Sequence, residues 1–144
     1  MCTNYTPTSR DRLRAMRLGV AHLPEGDWPP EAFPGYTAPI VRAPAARPGA
    51  SQALADLTEA HVVLARFGLV PRWSRDTKQA LEVSRGTYNA RHETAPEKPS
   101  FRGPWRERRY ALAPMDHFYE PCWESGRAVR WRIQRADGQP FAVA

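Results

Sequence analysis

The chain has 144 residues and a formal net charge of +6; 42% of its residues are apolar, 25% are charged and 15 are prolines. These values fit one folded domain with a single core, imply few long helices, and favour an anionic partner such as nucleic acid or an acidic membrane. Two cysteines outside any CxxC pair argue against a disulfide scaffold or a structural zinc site, and no apolar run has the length of a membrane span. We therefore expect a cytoplasmic monomer without a metal, a cofactor or a membrane partner.

The first half of the chain predicts a short helix, a proline-rich connection and one strong strand. Thr8 or Ser9 can cap a helix that runs to about Gly19, where the glycine would end it. The proline-rich stretch that follows leaves room only for a short strand at Ile40–Arg42. The stretch His61–Val70 is rich in β-branched residues and predicts the strongest strand of the chain.

The middle of the chain predicts two short helical segments and two strands. A helical turn is expected around Gln79–Val83, and Ser100 could cap a short helix through Arg108. Arg109–Pro114 and His117–Trp123 then have the composition of two separate strands.

The end of the chain predicts a hairpin. Within Ala128–Arg135 apolar and polar residues alternate, which is typical of a strand with one wet face, and Trp131 is expected in the core. Asp137-Gly138 is a hairpin turn signal, and Phe141–Ala144 would begin the returning strand. Because the sequence stops within this apolar strand, we expect residues 1–144 to be a single domain that is truncated at its C-terminal end.

Together these elements predict an α+β fold. The strands are expected to form a mixed or antiparallel sheet that curls towards a barrel, with the short helices outside it. No parallel βαβ repeat is visible in the sequence.

Cys2 could have an uncommon reactivity. Methionine aminopeptidases remove Met1 when the second residue is small, and removal would leave an α-amine and a thiol on one residue. An α-amine with a pKa of about 8 can attack an aldehyde as the neutral amine and form an imine. The neighbouring thiolate can then close on the imine carbon and give a thiazolidine ring. Taken alone, however, Cys2 is more simply interpreted as an incidental residue at a frayed terminus.

Four segments of the chain support the reactive interpretation of Cys2. They are Met1-Cys2, Arg66-Phe-Gly-Leu-Val-Pro-Arg-Trp73, Tyr88-Asn-Ala-Arg-His-Glu-Thr94 and Ala113-Pro-Met-Asp-His-Phe-Tyr-Glu120. In this order they resemble the SOS response-associated peptidase (SRAP) family, whose members start Met-Cys and act on abasic sites. The family usually has Trp-Gly where this chain has Phe67-Gly68. Nothing matches the family's later His-x-Arg-Met-Pro-like motif, which contains its catalytic histidine, so the resemblance covers roughly the first two thirds of the domain.

The resemblance implies a function and a set of site residues. Cys2 would be the nucleophile that captures abasic sites in single-stranded DNA as a thiazolidine crosslink in the SOS response, after self-removal of Met1. Asn89 would hydrogen-bond near the Cys2 amine or the sugar, and Glu120 would be the general acid/base. Arg91 would hold a DNA phosphate. The resemblance also implies the α+β fold described above.

An excess of arginine supports a nucleic-acid partner. Between Phe101 and Arg135 the chain has eight arginines and four acidic residues. Arg102 and its neighbours could follow a DNA backbone, and Trp73, Trp105 or Trp123 could offer stacking surfaces. Single-stranded DNA suits this chemistry better than duplex, because an unstacked sugar is reachable without extrusion.

Two other functions are compatible with the sequence. A cysteine peptidase that acts on proteins in trans would need Cys2 beside a histidine base, and no Cys/His motif matches. A noncatalytic module for single-stranded nucleic acid would use the arginines and not Cys2. We do not expect His117 to replace the missing histidine, because strand alternation places it on the opposite face from Glu120.

Overall fold

A computed structural model describes residues 4–20, 22–42 and 60–144 of the chain, so Cys2 lies outside the described residues. Within them the chain forms six strands and three short helices. In chain order these are β1 (Asn4–Pro7), α1 (Arg10–Ala15), β2 (Thr37–Arg42), β3 (His61–Arg66), α2 (Thr77–Ser84), α3 (Arg102–Arg106), β4 (Ala111–Cys122), β5 (Val129–Ile133) and β6 (Phe141–Val143).

The long strand β4 is the centre of an antiparallel sheet that does not close. Phe118 in β4 pairs with Tyr5 of β1 on one edge and with Ile133 of β5 on the other. The start of β4 pairs with β2, and β2 pairs with β3, so the main strand order is β1-β4-β2-β3. The prediction of an α+β fold with an antiparallel sheet is confirmed.

Two small clusters of buried side chains form the core. The first joins β1, β2 and β4; its buried residues are Tyr5, Ala32, Ala38 and Met115, with Phe67, Ala113, Phe118 and Phe141 packed against them. The second lies under α1; its buried residues are Leu13, Val41, Ala60 and Val62. Both clusters contain residues from distant parts of the sequence, so the sheet joins the first and second halves of the chain.

The helices agree with the sequence predictions in place and differ at their ends. α1 stops four residues before Gly19, and the chain then turns away with Arg17 at a left-handed φ of 51°. α2 is longer than the predicted turn, because the Asp76 side chain caps it by accepting a bond from a backbone N–H of its first turn. The predicted cap of α3 is wrong, since the capping position is Phe101 and not Ser100.

The strands show the larger differences. β2 begins three residues before the predicted Ile40, and β3 ends four residues before the predicted Val70. The two strands predicted at Arg109–Pro114 and His117–Trp123 are one continuous strand, β4. Partner strands on both edges of β4 keep its backbone extended through Pro114, which local sequence preference alone does not favour.

The predicted hairpin after β5 is also wrong. The turn itself forms, with Gly138 at φ 66° and its N–H donating to the Arg135 carbonyl at 3.1 Å. However, β6 pairs with β4 and not with β5. β5 takes positions 118–122 along one edge of the twelve-residue β4, and β6 takes positions 113–115 further along the same edge.

β5 has the predicted alternation but not the predicted burial. Trp131, expected in the core, is 51% exposed. It shares a face with Glu120, its partner in β4, because paired residues of neighbouring strands point the same way. The side chains of the first core cluster reach Phe118 and Phe141, so the described residues leave the apolar row of β5 exposed.

Gly68, just after β3, packs closely against the last residue of α2. Its φ is +129°, and a Cβ at this position would lie 2.5 Å from the Ser84 carbonyl oxygen. Beside this approach the Leu69 N–H donates to the Thr87 carbonyl at 3.2 Å, and the Thr87 hydroxyl donates back to the Leu69 carbonyl at 2.6 Å. Thr87 is followed by Tyr88 and Asn89, so Gly68 helps to set where the Asn89 segment lies.

We expect Gly68→Ala to lower the free energy of unfolding by about 2–4 kcal/mol, because an alanine there adds overpacking to a strained backbone. Gly126→Ala is the matched control, since Gly126 also has a positive φ, of +76°, but has nothing within 4 Å of the added carbon. The control should lose only about 1–2 kcal/mol. Urea denaturation of both variants measures the difference, and equal losses would contradict a close-packing role for Gly68.

Candidate functional site

Glu120 lies near the end of β4 on the face that carries the core. Phe118, two residues earlier in the strand, packs against the first core cluster and pairs with Tyr5. Because alternate residues of a strand share a face, the Glu120 side chain points to the same side. It is partly buried there, next to Trp131. A carboxyl group partly withdrawn from water beside aromatic side chains is in a suitable place for proton transfer.

A chain of aromatic contacts brings the Asn89 segment to this same side of the sheet. The Tyr5 ring meets Phe67 edge-on at 5.4 Å between centroids, and Phe67 meets Tyr88 edge-on at 6.0 Å. Tyr5 is the strand partner of Phe118, on the face of Glu120. Asn89 directly follows Tyr88 and is partly buried. Aromatic contacts therefore link the segment that contains Asn89 to the face of the sheet on which Glu120 lies.

The four residues implied for DNA binding are linked through their neighbours. His92, next to Arg91, meets the Trp105 ring edge-on at 5.5 Å. Arg102 lies three residues before Trp105 in α3, which places the two on neighbouring positions of one helix. Arg91 and Arg102 are exposed, and Trp105 is partly buried.

Trp73 joins this region from another loop. Its neighbour Arg72 forms an ion pair with Glu107, just after α3, at 3.4 Å. Trp73 is 49% exposed, so a broad part of its ring surface can be reached by a ligand. The structure thus brings two exposed arginines and two tryptophans to the region of α3, a surface that could bind a nucleic-acid strand: Arg91, Arg102, Trp73 and Trp105.

His117 is turned to the other face of the sheet. Its Nε2 atom lies 3.0 Å from the Thr6 hydroxyl and 3.2 Å from the Tyr119 hydroxyl. Burial lowers the pKa of His117, and the nearby Arg132 lowers it further. His117 therefore belongs to a hydrogen-bonded group on the outer face, away from the side chain of Glu120.

Cys2, the predicted nucleophile, can be related to the site only through the sequence. β1 begins at Asn4, which pairs with Tyr119, the residue before Glu120. One residue separates Asn4 from Cys2. The described part of β1 therefore starts beside the carboxyl end of β4 where Glu120 lies.

A polar network near this point was not predicted from the sequence. Asn4 and Arg130 both donate hydrogen bonds to one carboxylate oxygen of Glu31. Asn4 lies 27 positions before Glu31 and Arg130 lies 99 positions after it, and no sequence motif connects the three residues. Only the arginine excess pointed to Arg130 at all.

A groove of about 300 Å³ lies away from these residues. It is lined by Arg12, Ala15, Met16, Arg135, Gln139 and Pro140. Its two arginines are already engaged, Arg12 with Asp116 at 2.6 Å and Arg135 with Asp137 at 2.6 Å. We do not place the function there, because the implied catalytic residues do not line it.

The described residues contain no cluster of three or more His, Cys, Asp or Glu that could hold a metal ion. Among the same residues no helix is both long and apolar enough to cross a membrane. An open antiparallel sheet, a partly buried carboxyl near the end of its central strand and arginine and tryptophan side chains around α3 define an α+β protein with a candidate surface for nucleic acid.

The family follows from comparison with known proteins. The family model described as SOS response associated peptidase (SRAP) matches residues 1–144. The chain therefore belongs to the SRAP family. A solved structure of a protein from Bordetella bronchiseptica, 33% identical, superposes on 99% of this chain with a TM-score of 0.77. A structure from Bacteroides thetaiotaomicron, 22% identical, covers 98% of the chain with a TM-score of 0.71 and supports the fold.

Curated relatives match a shorter part of the chain. The abasic site processing protein YoaM of Bacillus subtilis (strain 168) is 38% identical over 82 residues, which are 55% of this chain and 33% of that protein. The abasic site processing protein YoqW of Bacillus phage SPbeta is also 38% identical over 82 residues, which are 34% of its length. The chain covers 61% and 57% of the two solved structures. It thus matches only part of the length of each relative.

Proposed function

We propose that this protein captures abasic sites in single-stranded DNA by covalent attachment at Cys2, as part of the response to DNA damage. Two relatives are named abasic site processing proteins, and the chain belongs to their family. The observation that carries the proposal is the pairing of Asn4 with Tyr119, which starts β1 beside Glu120. Only Thr3 separates Cys2 from Asn4 in the sequence, so the proposal assigns the nucleophile to this end of β4.

Hydrolytic removal of Met1 consumes one water, and the capture step that follows consumes one aldehyde and releases one water. Hydrolysis of the Met1–Cys2 bond exposes the α-amine of Cys2. The amine attacks the aldehyde carbon of the opened abasic sugar, and loss of water gives an imine. The thiolate adds to the imine carbon while the nitrogen takes up a proton, which closes the thiazolidine ring. This chemistry requires no metal or cofactor.

The side chains of the site have separate tasks in this reaction. Glu120 would transfer protons during sugar opening and imine formation, since an abasic sugar exists mostly as a closed hemiacetal. Asn89 would hold the amine or a sugar hydroxyl, because its amide can both donate and accept hydrogen bonds. Arg91 and Arg102 would bind phosphates, while Trp73 and Trp105 would stack on bases. We propose that the protein acts in this way as a cytoplasmic monomer.

The test is a single-turnover reaction of full-length protein, with Met1 removed, on single-stranded DNA that carries one abasic site. An adduct that survives heat and detergent is expected. The same strand with its sugar aldehyde reduced to an alcohol, and an undamaged strand, are the controls and should give none. Absence of an adduct with the abasic strand, together with normal noncovalent binding, would favour the noncatalytic module instead.

DNA binding before the chemical step is expected to depend on salt and on Arg91. Arg91→Ala should weaken binding and reduce the slope of log affinity against log salt by about 0.7, the share of one phosphate on a single strand. Fluorescence anisotropy at several salt concentrations measures both quantities. Arg14→Ala is the matched control, because Arg14 is an exposed arginine of α1 paired only at the surface with Asp11 at 3.3 Å. Equal slopes for the Arg91 variant and the wild type would refute a phosphate contact by Arg91.

A further inference from the structure

The start of β1 is held by the carboxylate of Glu31. Asn4 is 2% exposed, and its side-chain amide donates a hydrogen bond to Glu31. A hydrogen bond to a charged acceptor is stronger than one between neutral groups. A buried amide that loses its acceptor costs about 1–3 kcal/mol. The hydrogen bond to Glu31 therefore stabilises the position of Asn4, the first residue of β1.

The main chain beside Glu31 holds the next residue of the strand. The Tyr5 N–H donates to the Ala32 carbonyl at 3.1 Å, and the Ala32 N–H donates to the Tyr5 carbonyl at 2.8 Å. Tyr5 also pairs with Phe118 of β4, so this bridge closes the other edge of β1. Terminal strands that are tied on one edge tend to fray. Here Tyr5 is hydrogen-bonded on both edges of β1, and Asn4 is held by its pairing with β4 and by its side-chain bond to Glu31.

Arg130 connects this anchor to the other side of β4. Its guanidinium lies 3.5 Å from the centroid of the Tyr119 ring and donates to the same oxygen of Glu31 that Asn4 uses. Arg130 belongs to β5, on the opposite edge of β4 from β1. The side chain therefore crosses β4 at Tyr119, next to Glu120, on the face opposite to the Glu120 side chain. We name Asn4, Glu31 and Arg130 the crossbar.

We propose that Glu31 is a positioning residue for the nucleophile: through the crossbar it fixes the start of β1 against the Glu120 end of β4 and so holds Cys2 for attack on the abasic sugar. This inference rests on the proposed function. Arg130 pairs with Pro121 and so lies on the face opposite to the Glu120 side chain, and the effect would therefore act through the backbone of β1. A displacement of about 1 Å at a reacting group can cost on the order of a hundredfold in rate.

The rate of crosslinking by Glu31→Ala, measured over a range of DNA concentrations with full-length protein lacking Met1, tests this role. The maximal rate should fall by about tenfold to a hundredfold. The DNA concentration at half-maximal rate should stay the same or fall, because removing a negative charge does not weaken attraction to DNA. Glu31→Gln keeps an oxygen acceptor for Asn4 and should recover part of the rate. Glu25→Ala, which removes an exposed acidic residue from the same connection, should leave both values unchanged.

The outcomes separate this proposal from the proposed function. If the wild type forms no adduct, the proposed function fails and the positioning role fails with it. If the wild type crosslinks and Glu31→Ala reaches the same maximal rate, only the positioning role is overturned. The reaction of Cys2 with a small soluble aldehyde should be equally fast in both proteins, because it needs no placement relative to Glu120. A slower reaction there would show that the substitution damages Cys2 itself, and would also overturn the positioning role.

Discussion

Cys2→Ala is expected to abolish the heat-stable and detergent-stable adduct with abasic single-stranded DNA. Alanine keeps the α-amine but has no thiol to close the ring, so an imine can form and is lost again by hydrolysis. The affinity for DNA should stay nearly the same, because the phosphate-binding and stacking candidates lie around α3. A denaturing gel measures the adduct, and anisotropy measures the affinity.

Cys2→Ser is the matched control for this result. Serine keeps the amine and a hydroxyl of similar size, so its reaction should stop at a reversible imine that borohydride traps. Intact mass must show that Met1 is absent from all three proteins, since a retained Met1 blocks the amine. A stable adduct of Cys2→Ala at the wild-type level, without a reducing agent, would exclude the thiazolidine mechanism.

Glu120→Gln is expected to slow adduct formation by about 10² to 10⁴, the usual contribution of a general acid/base. Glutamine has nearly the same shape but cannot exchange protons in this way, so the fold and the DNA affinity should be retained. A single-turnover time course on abasic single strands measures the rate. Circular dichroism verifies the fold.

Glu124→Gln is the matched control, because Glu124 is an exposed carboxylate four residues further along the chain. Its rate should equal that of the wild type. Free aminothiols condense with aldehydes unaided, so a Glu120→Gln variant with the wild-type rate would mean that Cys2 acts as a passive trap. In that case the carboxyl would have only a structural role at the end of β4.

The local chemistry of the sequence was enough to predict most elements of the fold. Residues with high strand preference predicted β3, the alternation around Trp131 predicted β5, and the helical turn expected around Gln79–Val83 lies within α2. These features depend on neighbours within a few residues. The ordered motifs also predicted the family, because they lie in sequence order along the chain.

The arrangement of these elements depended on long-range pairing. β4 continues through Pro114, and β6 joins β4 instead of β5, because partner strands from both ends of the chain supply the hydrogen bonds along its edges. Trp131 was expected in the core and is exposed. The prediction was wrong because alternation predicts the face on which a residue lies but not what covers that face. These outcomes could not be read from residues a few positions apart.

The sequence by itself determined which chemical groups this protein has. They are a thiol at Cys2, with an α-amine beside it once Met1 is removed, a carboxyl at Glu120, an amide at Asn89 and an excess of arginine. Only the tertiary structure decided which groups lie together. It joined the Asn89 segment to the face of Glu120 through edge-on contacts between aromatic rings, and it linked the start of β1 to β5 through Glu31. The physical reason is that such contacts join residues tens of positions apart, and the free energy that selects them comes from the packing of the whole sheet.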